Sequence, residues 1–469
     1  MKKRLRLIPL LIITIFLLSS CVLNKPTEQV EDGYLNIFTK TYGTNYTDKT
    51  GEVIYTSDEG ALIGGYINFK TGSNVPSYEG NVDLEQAHEG VDLFLVKLDK
   101  HGEEEWQRIF GGTGAEWALS LKETEDKGFV VGGYTTSTDG DLSSEEPGIR
   151  KPTYADPWIL KLNSNGDLEW QKLLISEDSK FDRVEEIKQT SDGGYAALIK
   201  EQPIYEKYED PDGTIQKMFT TSMKLVKLSS TGEVEWEFEY KDDISEDPAL
   251  NEDIIPYYPY DFAIDENGEY FISGSESISH ENSNALIIKV DQAGQQDWEK
   301  KIEGDGTDIV ENILISQSGD LILGGYTSSN EGDFSENFGV VDYWVTNMDK
   351  TGNVNWMKFY GGSENDRLAQ IKETPNGDLV MIGYTQSNNG DVTNFKGHED
   401  AWFIKTNSQG EILNERTFGG TLLDRGASLD VIDDNTFLVA ADTASVDHDL
   451  DTSWGNLDIT LFKFFMEDN

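Results

Sequence analysis

Apolar and polar residues alternate in short runs along the body of the chain, and no stretch there repeats apolar residues at the spacing of an amphipathic helix. Trp117 to Glu123, Phe129 to Thr136, Trp158 to Asn163 and Leu168 to Leu174 form one set of such runs, separated by Gly, Asn and Asp turns. The pattern predicts short antiparallel strands, four to a unit. The unit recurs: FGGTGAEWALSLKETEDKGFVVGGYTTSTDGDL (Phe110 to Leu142) is echoed by YGGSENDRLAQIKETPNGDLVMIGYTQSNNGDV (Tyr360 to Val392). Trp106, Trp170, Trp236, Trp298 and Trp356 mark the period, at intervals of roughly 60 residues. The frame persists without its Trp at Ile412 to Gly420, and one step before Trp106 it holds Phe38 in the Trp place, giving seven positions.

Four-stranded units at a fixed period, with no helices between them, predict an all-β seven-bladed β-propeller of antiparallel blades over residues 34–469. The last unit supplies only three strands, ending in Asp458 to Phe465, whereas Leu35 to Tyr42 matches the outer, Trp-bearing strand. These two segments are expected to pair and close the ring, which removes the edges an open array would expose. First-to-second and third-to-fourth connections are tight. The others are long and variable and share the opposite rim, where recognition is expected. Two insertions, Gln202 to Phe219 and Lys241 to Phe262, follow one another round that rim. They offer Tyr205, Tyr208, Tyr257, Tyr258 and Tyr260 as candidate contacts for a protein segment or a glycan, although the rings also suit plain packing of the insertions.

Charge narrows the partners. The 469 residues carry 87 Asp+Glu against 38 Lys+Arg, a formal charge of -49, which disfavours nucleic-acid phosphate. A basic start (Lys2, Lys3, Arg4, Arg6) precedes an apolar run, Leu7 to Leu18, too short to span a bilayer, so residues 1–20 read as a signal peptide. The sequence LSSC (Leu18 to Cys21) resembles the bacterial lipoprotein box. That resemblance implies export, cleavage before Cys21 and a diacylglycerol anchor with acyl chains such as palmitate on this only cysteine, with the leaflet left open. Residues 21–33 are then a polar tether from the cell membrane or outer membrane to an extracytoplasmic body.

KLNSNGDLEWQK (Lys161 to Lys172), KLDKHGEEEWQR (Lys97 to Arg108) and KLSSTGEVEWEF (Lys227 to Phe238) resemble the Trp-bearing repeat of bacterial β-propeller repeat proteins and, more distantly, that of quinoprotein-like propellers. The resemblance bears on fold and leaves activity open. A Trp copied into every blade is expected to wedge between neighbours. Asp156, Asp342 and Asp400, with Asp92 and Asp458, open the third strand of their blades, and Asp139 and Asp141 precede one of them. Such oxygens suit a hard cation such as Ca²⁺, and they equally suit turn capping through backbone N–H groups. No other cofactor is expected. His88-Glu89 and His398-Glu399 occupy equivalent loops and offer a His/carboxylate pair for acid–base or metal chemistry, but their separated, repeat-related positions favour plain turn residues. The chain reads as a lipid-anchored binding or scaffold module; an envelope hydrolase or lyase with a carboxylate or His/metal site on the long-loop face is the alternative.

Overall fold

The computed structural model describes residues 34–70, 80–142, 154–175, 179–209, 215–241, 255–279, 281–335, 337–450 and 452–467, without the side chains of 204–219. The expected signal peptide, Cys21 and the tether lie outside the described residues. Seven four-stranded antiparallel sheets form a seven-bladed propeller. Blade one runs through Lys49–Tyr55, Ala61–Phe69, Gly90–Leu98 and Glu104–Phe110 from the axis outward, and blades two to six repeat it in chain order. Their innermost strands are Glu116–Glu123, Arg183–Gln189, Tyr257–Ile264, Asp308–Ile315 and Asp366–Glu373.

Blade seven contains Asp424–Val431, Thr436–Thr443 and Asp458–Met466, and its fourth strand is the chain's first, Tyr34–Tyr42. The register runs Leu35↔Phe465 to Tyr42↔Ile459, the closure expected from the sequence. An extra hairpin, Ile204–Glu209 with Ile215–Phe219, stands on blade three between its second and third strands.

Burial departs from simple alternation. Middle strands such as Phe129–Thr135 and Asp156–Leu162 are buried nearly throughout, whereas outer strands such as Val234–Tyr240 alternate toward water. A middle strand has a neighbouring blade against each face, so both sets of side chains leave solvent. The period-two signal is therefore cleanest on the outer strands.

Each recurring aromatic covers the tight turn of the following blade. A Cβ added to Gly166 would stand 3.0 Å from the Trp106 ring, and one on Gly232 would stand 3.0 Å from Trp170; Trp236 over Gly294 and Phe38 over Gly102 repeat the contact. These glycines hold positive φ, at 78° for Gly166, so a side chain there meets both strain and the indole.

The lysine of the same repeat is buried beneath it. Lys161 is 3% exposed and lies 3.0 Å from both Asp126 and Glu169, joining the blade's two tight turns; Lys97 and Lys227 do the same with Asp58 and Glu105 and with Asp192 and Glu235. Burial draws the Asp126 carboxyl upward, but the Thr124 hydroxyl and the Lys161 ammonium outweigh it and bring it to about 2. Both acid partners reach water, so the loss on Lys161→Met is expected to be modest, about 1–2 kcal/mol, read from urea midpoints at unchanged slope.

Every innermost strand carries a β-bulge at one place, with Gly51, Leu119, Glu185, Tyr260, Glu311, Ala369 and Ala427 as the unpaired residues. The bulge re-aims the next side chain toward the following blade. Glu52 thus accepts from Leu121 N at 2.8 Å, Asp261 from Ile313 N at 3.1 Å, Asn312 from Ile371 N at 2.7 Å and Gln370 from Leu429 N at 2.6 Å. Ser120 and Ser428 complete the series on Ile187 N and Val53 N, the last stitching blade seven to blade one. Between blades three and four, Lys188 donates instead to Phe262 O and Asp261.

Candidate ligand-binding channel

The inward turn of the bulges builds the wall of an axial channel of about 260 Å³. At the bulge level four blades present Gly51, Leu119, Ala369 and Ala427, and three consecutive blades present Glu185, Tyr260 and Glu311. Large polar groups therefore line one side and mostly small ones face them. Glu185 is held by Arg183 Nε at 2.7 Å. The Glu311 carboxyl takes part in no hydrogen bond or ion pair among the described residues. Burial, with the neighbouring Glu185 carboxylate, pushes it up to about 8 against the pull of Arg367 and Arg183. Beneath this wall runs a chain of ion pairs: Lys122 lies 2.6 Å from Glu52 and 2.9 Å from Glu186, and Lys188 lies 2.9 Å from Asp261.

Above it, at the long-loop rim, the first residues of the inner strands lie opposite the ends of the second strands: Trp117↔Tyr134, Arg183↔Lys200, Tyr258↔Ser275, Arg367↔Tyr384. These side chains meet across blade boundaries. The Tyr66 and Trp117 rings stand edge to face at 5.0 Å; Arg367 covers Tyr326 at 5.0 Å, Arg425 covers Tyr384 at 5.0 Å and Lys200 covers Tyr258 at 4.6 Å. All are half-buried or exposed, so the channel mouth is a collar of aromatic faces and cations. Burial raises the Tyr66 and Tyr326 hydroxyls to about 12, which leaves them as hydrogen-bond donors.

Of the tyrosines singled out from sequence, Tyr258 belongs to the collar and Tyr260 to the channel wall. Tyr257 is 7% exposed, stacked edge-on to Tyr240 at 4.8 Å in the core between blades three and four, and faces neither. The side chains of Tyr205 and Tyr208 lie outside the described residues. Glu185 and Glu311 escaped the sequence reading, although stacking the repeats on their bulge position exposes three consecutive departures from small or apolar residues.

The strand-opening aspartates act as caps at separate blade junctions. Asp342 Oδ2 accepts from Phe338 N at 2.9 Å and Gly339 N at 2.8 Å, and Asp400 Oδ2 from Lys396 N at 2.6 Å; Asp156 is likewise buried at its own junction. Asp139 accepts from Thr113 N and Asp141 from Gly111 N. Among the described residues the buried Oδ1 atoms of Asp342, Asp400 and Asp458 have no hydrogen-bond partner, nor does that of Asp92, which lies 3.5 Å from His88 Nδ1. A Cβ on Gly361 would stand 2.2 Å from Asp342 Oδ1 and 2.8 Å from Asp366 Oδ2, so two carboxyls of adjacent blades converge there. Among the described residues no group of three or more His, Cys, Asp or Glu forms a metal-holding arrangement. His88 N caps Asp92, and Glu399 pairs with Arg425.

No protein-family model matches the chain, and no curated protein matches it. Solved structures do. A protein of unknown function from Dyadobacter fermentans shares 10% identity over 93% of this chain and 100% of its own, with a TM-score of 0.42. YCF48 bound to D1 peptide shares 9% over 93% and 96%, at 0.42. Puromycin hydrolase shares 10% over 84% of this chain and 50% of its own, at 0.45. Function is therefore read from this chain's own geometry.

Proposed function

We propose that the protein is a lipid-anchored extracytoplasmic binding or scaffold module, which holds a protein or polysaccharide segment over the long-loop mouth of its channel. The collar of Tyr66, Trp117, Tyr258, Tyr326 and Tyr384, with Lys200, Arg367 and Arg425 on their faces, carries this reading. Half-exposed rings beside cations, fixed by a rigid ring of blades, form a recognition surface prepared in advance. The LSSC segment supports anchoring through Cys21, and the Trp-bearing repeat supports kinship with bacterial propeller-repeat proteins. Affinity capture from native envelope, with wild type beside a Trp117→Ala/Arg367→Ala variant of equal melting temperature, tests the surface. Loss of a captured species in the variant is expected; identical capture would refute it. In the same cells Cys21→Ser is expected to move the protein from the detergent phase to the aqueous phase.

A hydrolase or lyase acting on the bound chain is the second reading, favoured by the glutamates Glu185 and Glu311 in one channel. Its mark would be chain cleavage abolished by Glu311→Gln.

A further inference from the structure

The bulge position carries information that the rest of the repeat does not. Bulges stitch the ring at every blade, but stitching needs only the residue after the bulge, so the unpaired residue itself is free to vary. In blades one, two, six and seven it is small or apolar; in blades three, four and five it is Glu185, Tyr260 and Glu311. Three adjacent blades thus aim hydrogen-bonding groups at a space that Gly51, Ala369 and Ala427 leave open on the other side. Two carboxyl groups brought near each other in a confined channel oppose burial, and nothing in the stitching requires them.

We propose that the channel binds one uncharged sugar unit of a polysaccharide against the wall formed by Glu185, Tyr260 and Glu311. This rests on the reading of the collar as a recognition surface and names the ligand class that enters beneath it.

Three observations select a sugar. The volume of about 260 Å³ is room for several waters or one monosaccharide and too small for a helix of about 10 Å diameter. The wall offers acceptor oxygens in Glu185, paired with Arg183 at 2.7 Å, and groups able to donate in Tyr260 and Glu311. A sugar hydroxyl both donates and accepts, so neighbouring hydroxyls match such a row. The rings above supply apolar faces for the C–H side of the next unit.

An extended peptide adding to a strand edge finds little there, because backbone N–H groups of the inner strands at six junctions are already taken by Glu52, Ser120, Asp261, Asn312, Gln370 and Ser428. Lower in the channel the ammoniums of Lys122 and Lys188 are taken up by Glu52, Glu186 and Asp261, which disfavours an anionic ligand there, and the acidic body repels a polyanion.

Glu311 faces Glu185 and Arg183 from blade three, Tyr260 from blade four, Tyr326 on its own blade and Arg367 from blade six. Below pH 8 its carboxyl donates a hydrogen bond; above it the group is an anion beside Glu185 and the donor is lost.

Calorimetric titration of the full-length protein with maltohexaose, xylohexaose, chitohexaose, hexagalacturonate and hexalysine tests the assignment. At least one of the three uncharged oligosaccharides is expected to bind at pH 6, with affinity falling between pH 7 and pH 9. Glu311→Ala is expected to weaken that binding by about tenfold, the worth of one buried hydrogen bond. Glu311→Gln keeps a donor, so it should retain the affinity and lose the pH dependence. Ala427→Trp fills the space opposite and should abolish binding at unchanged melting temperature. Binding of none of the five, binding only of hexagalacturonate or hexalysine, or sugar binding indifferent to both Glu311→Ala and Ala427→Trp would overturn the proposal. If Trp117→Ala abolishes sugar binding while Glu311→Ala leaves it intact, the collar stands and the wall falls; the reverse result leaves the wall and removes the collar.

Discussion

Deleting residues 34–42 is expected to lower the melting temperature by roughly 8 °C and to make the protein associate. The strand contributes a full ladder to the last one, and Tyr42, 5% exposed, packs on Phe94, while Tyr34 packs on Phe418 and Phe464 under the Arg416 guanidinium. Losing the burial of Tyr34, Phe38 and Tyr42 removes about 7 kcal/mol at 2–3 kcal/mol each. A chain of this length loses roughly 1 °C for each 0.9 kcal/mol. The ring would not spring open, because Ser428 still holds Val53 N across the junction of blades seven and one. What opens is the outer edge of blade seven, and an uncovered apolar edge recruits other strands. Light scattering should rise with concentration, and a synthetic peptide of residues 34–42 should reverse both changes. A truncated protein that melts where the intact one does would contradict the pairing.

The second large effect is a stability that falls as pH rises. Burial, reinforced by neighbouring carboxylates, pushes Asp48 and Asp92 up to about 7 and Asp308, Asp342 and Asp400 to about 6. Each lies above the unfolded value near 3.8, so the folded protein holds protons that the unfolded chain releases. That contribution is fully present below about pH 4 and is lost as pH rises through 6 to 7. The unpartnered Oδ1 of Asp342 beside Asp366 shows where such a proton would sit. Two groups shifted by about two units each are worth about 5 kcal/mol, or roughly 6 °C, and self-repulsion of the acidic body adds in the same sense. Asp126 and Asp192, drawn down to about 2, act oppositely and protect the fold only until pH drops below 4. Calorimetry from pH 4.5 to 8.5 should therefore show a descending melting temperature, flattened by Asp342→Asn. A level or rising profile would refute the shared-proton account.

The architecture was legible because it is written repeatedly: a Trp, a Gly turn and a buried Lys recur in most blades, where one must rest on the next. The closing strand was readable because Phe38 stands in the Trp place of a repeat that the last unit lacks. The site was less legible, for a physical reason. Bulges are set by register between strands and leave no local signature, so Glu185 and Glu311 resemble ordinary surface acids within a set of 87 Asp and Glu. Tyr257, Tyr258 and Tyr260 look alike in sequence, yet alternation turns the first into the core, and the bulge carries the third into the channel. The strand-opening aspartates were visible as a set, but their convergence with Asp366 or Glu116 of the next blade depends on packing between units.

The seventh blade, and with it the full wheel, is complete only if the first strand pairs with the last, and one cross-link addresses that directly. Thr41 and Thr460 are register partners with hydroxyls 3.1 Å apart. In a Cys21→Ser background, Thr41→Cys/Thr460→Cys should form a disulfide under mild oxidation and raise the melting temperature. Thr41→Cys/Phe462→Cys, two residues out of register, should form little. Equal cross-linking in both pairs, or none in the first, would contradict the closed ring.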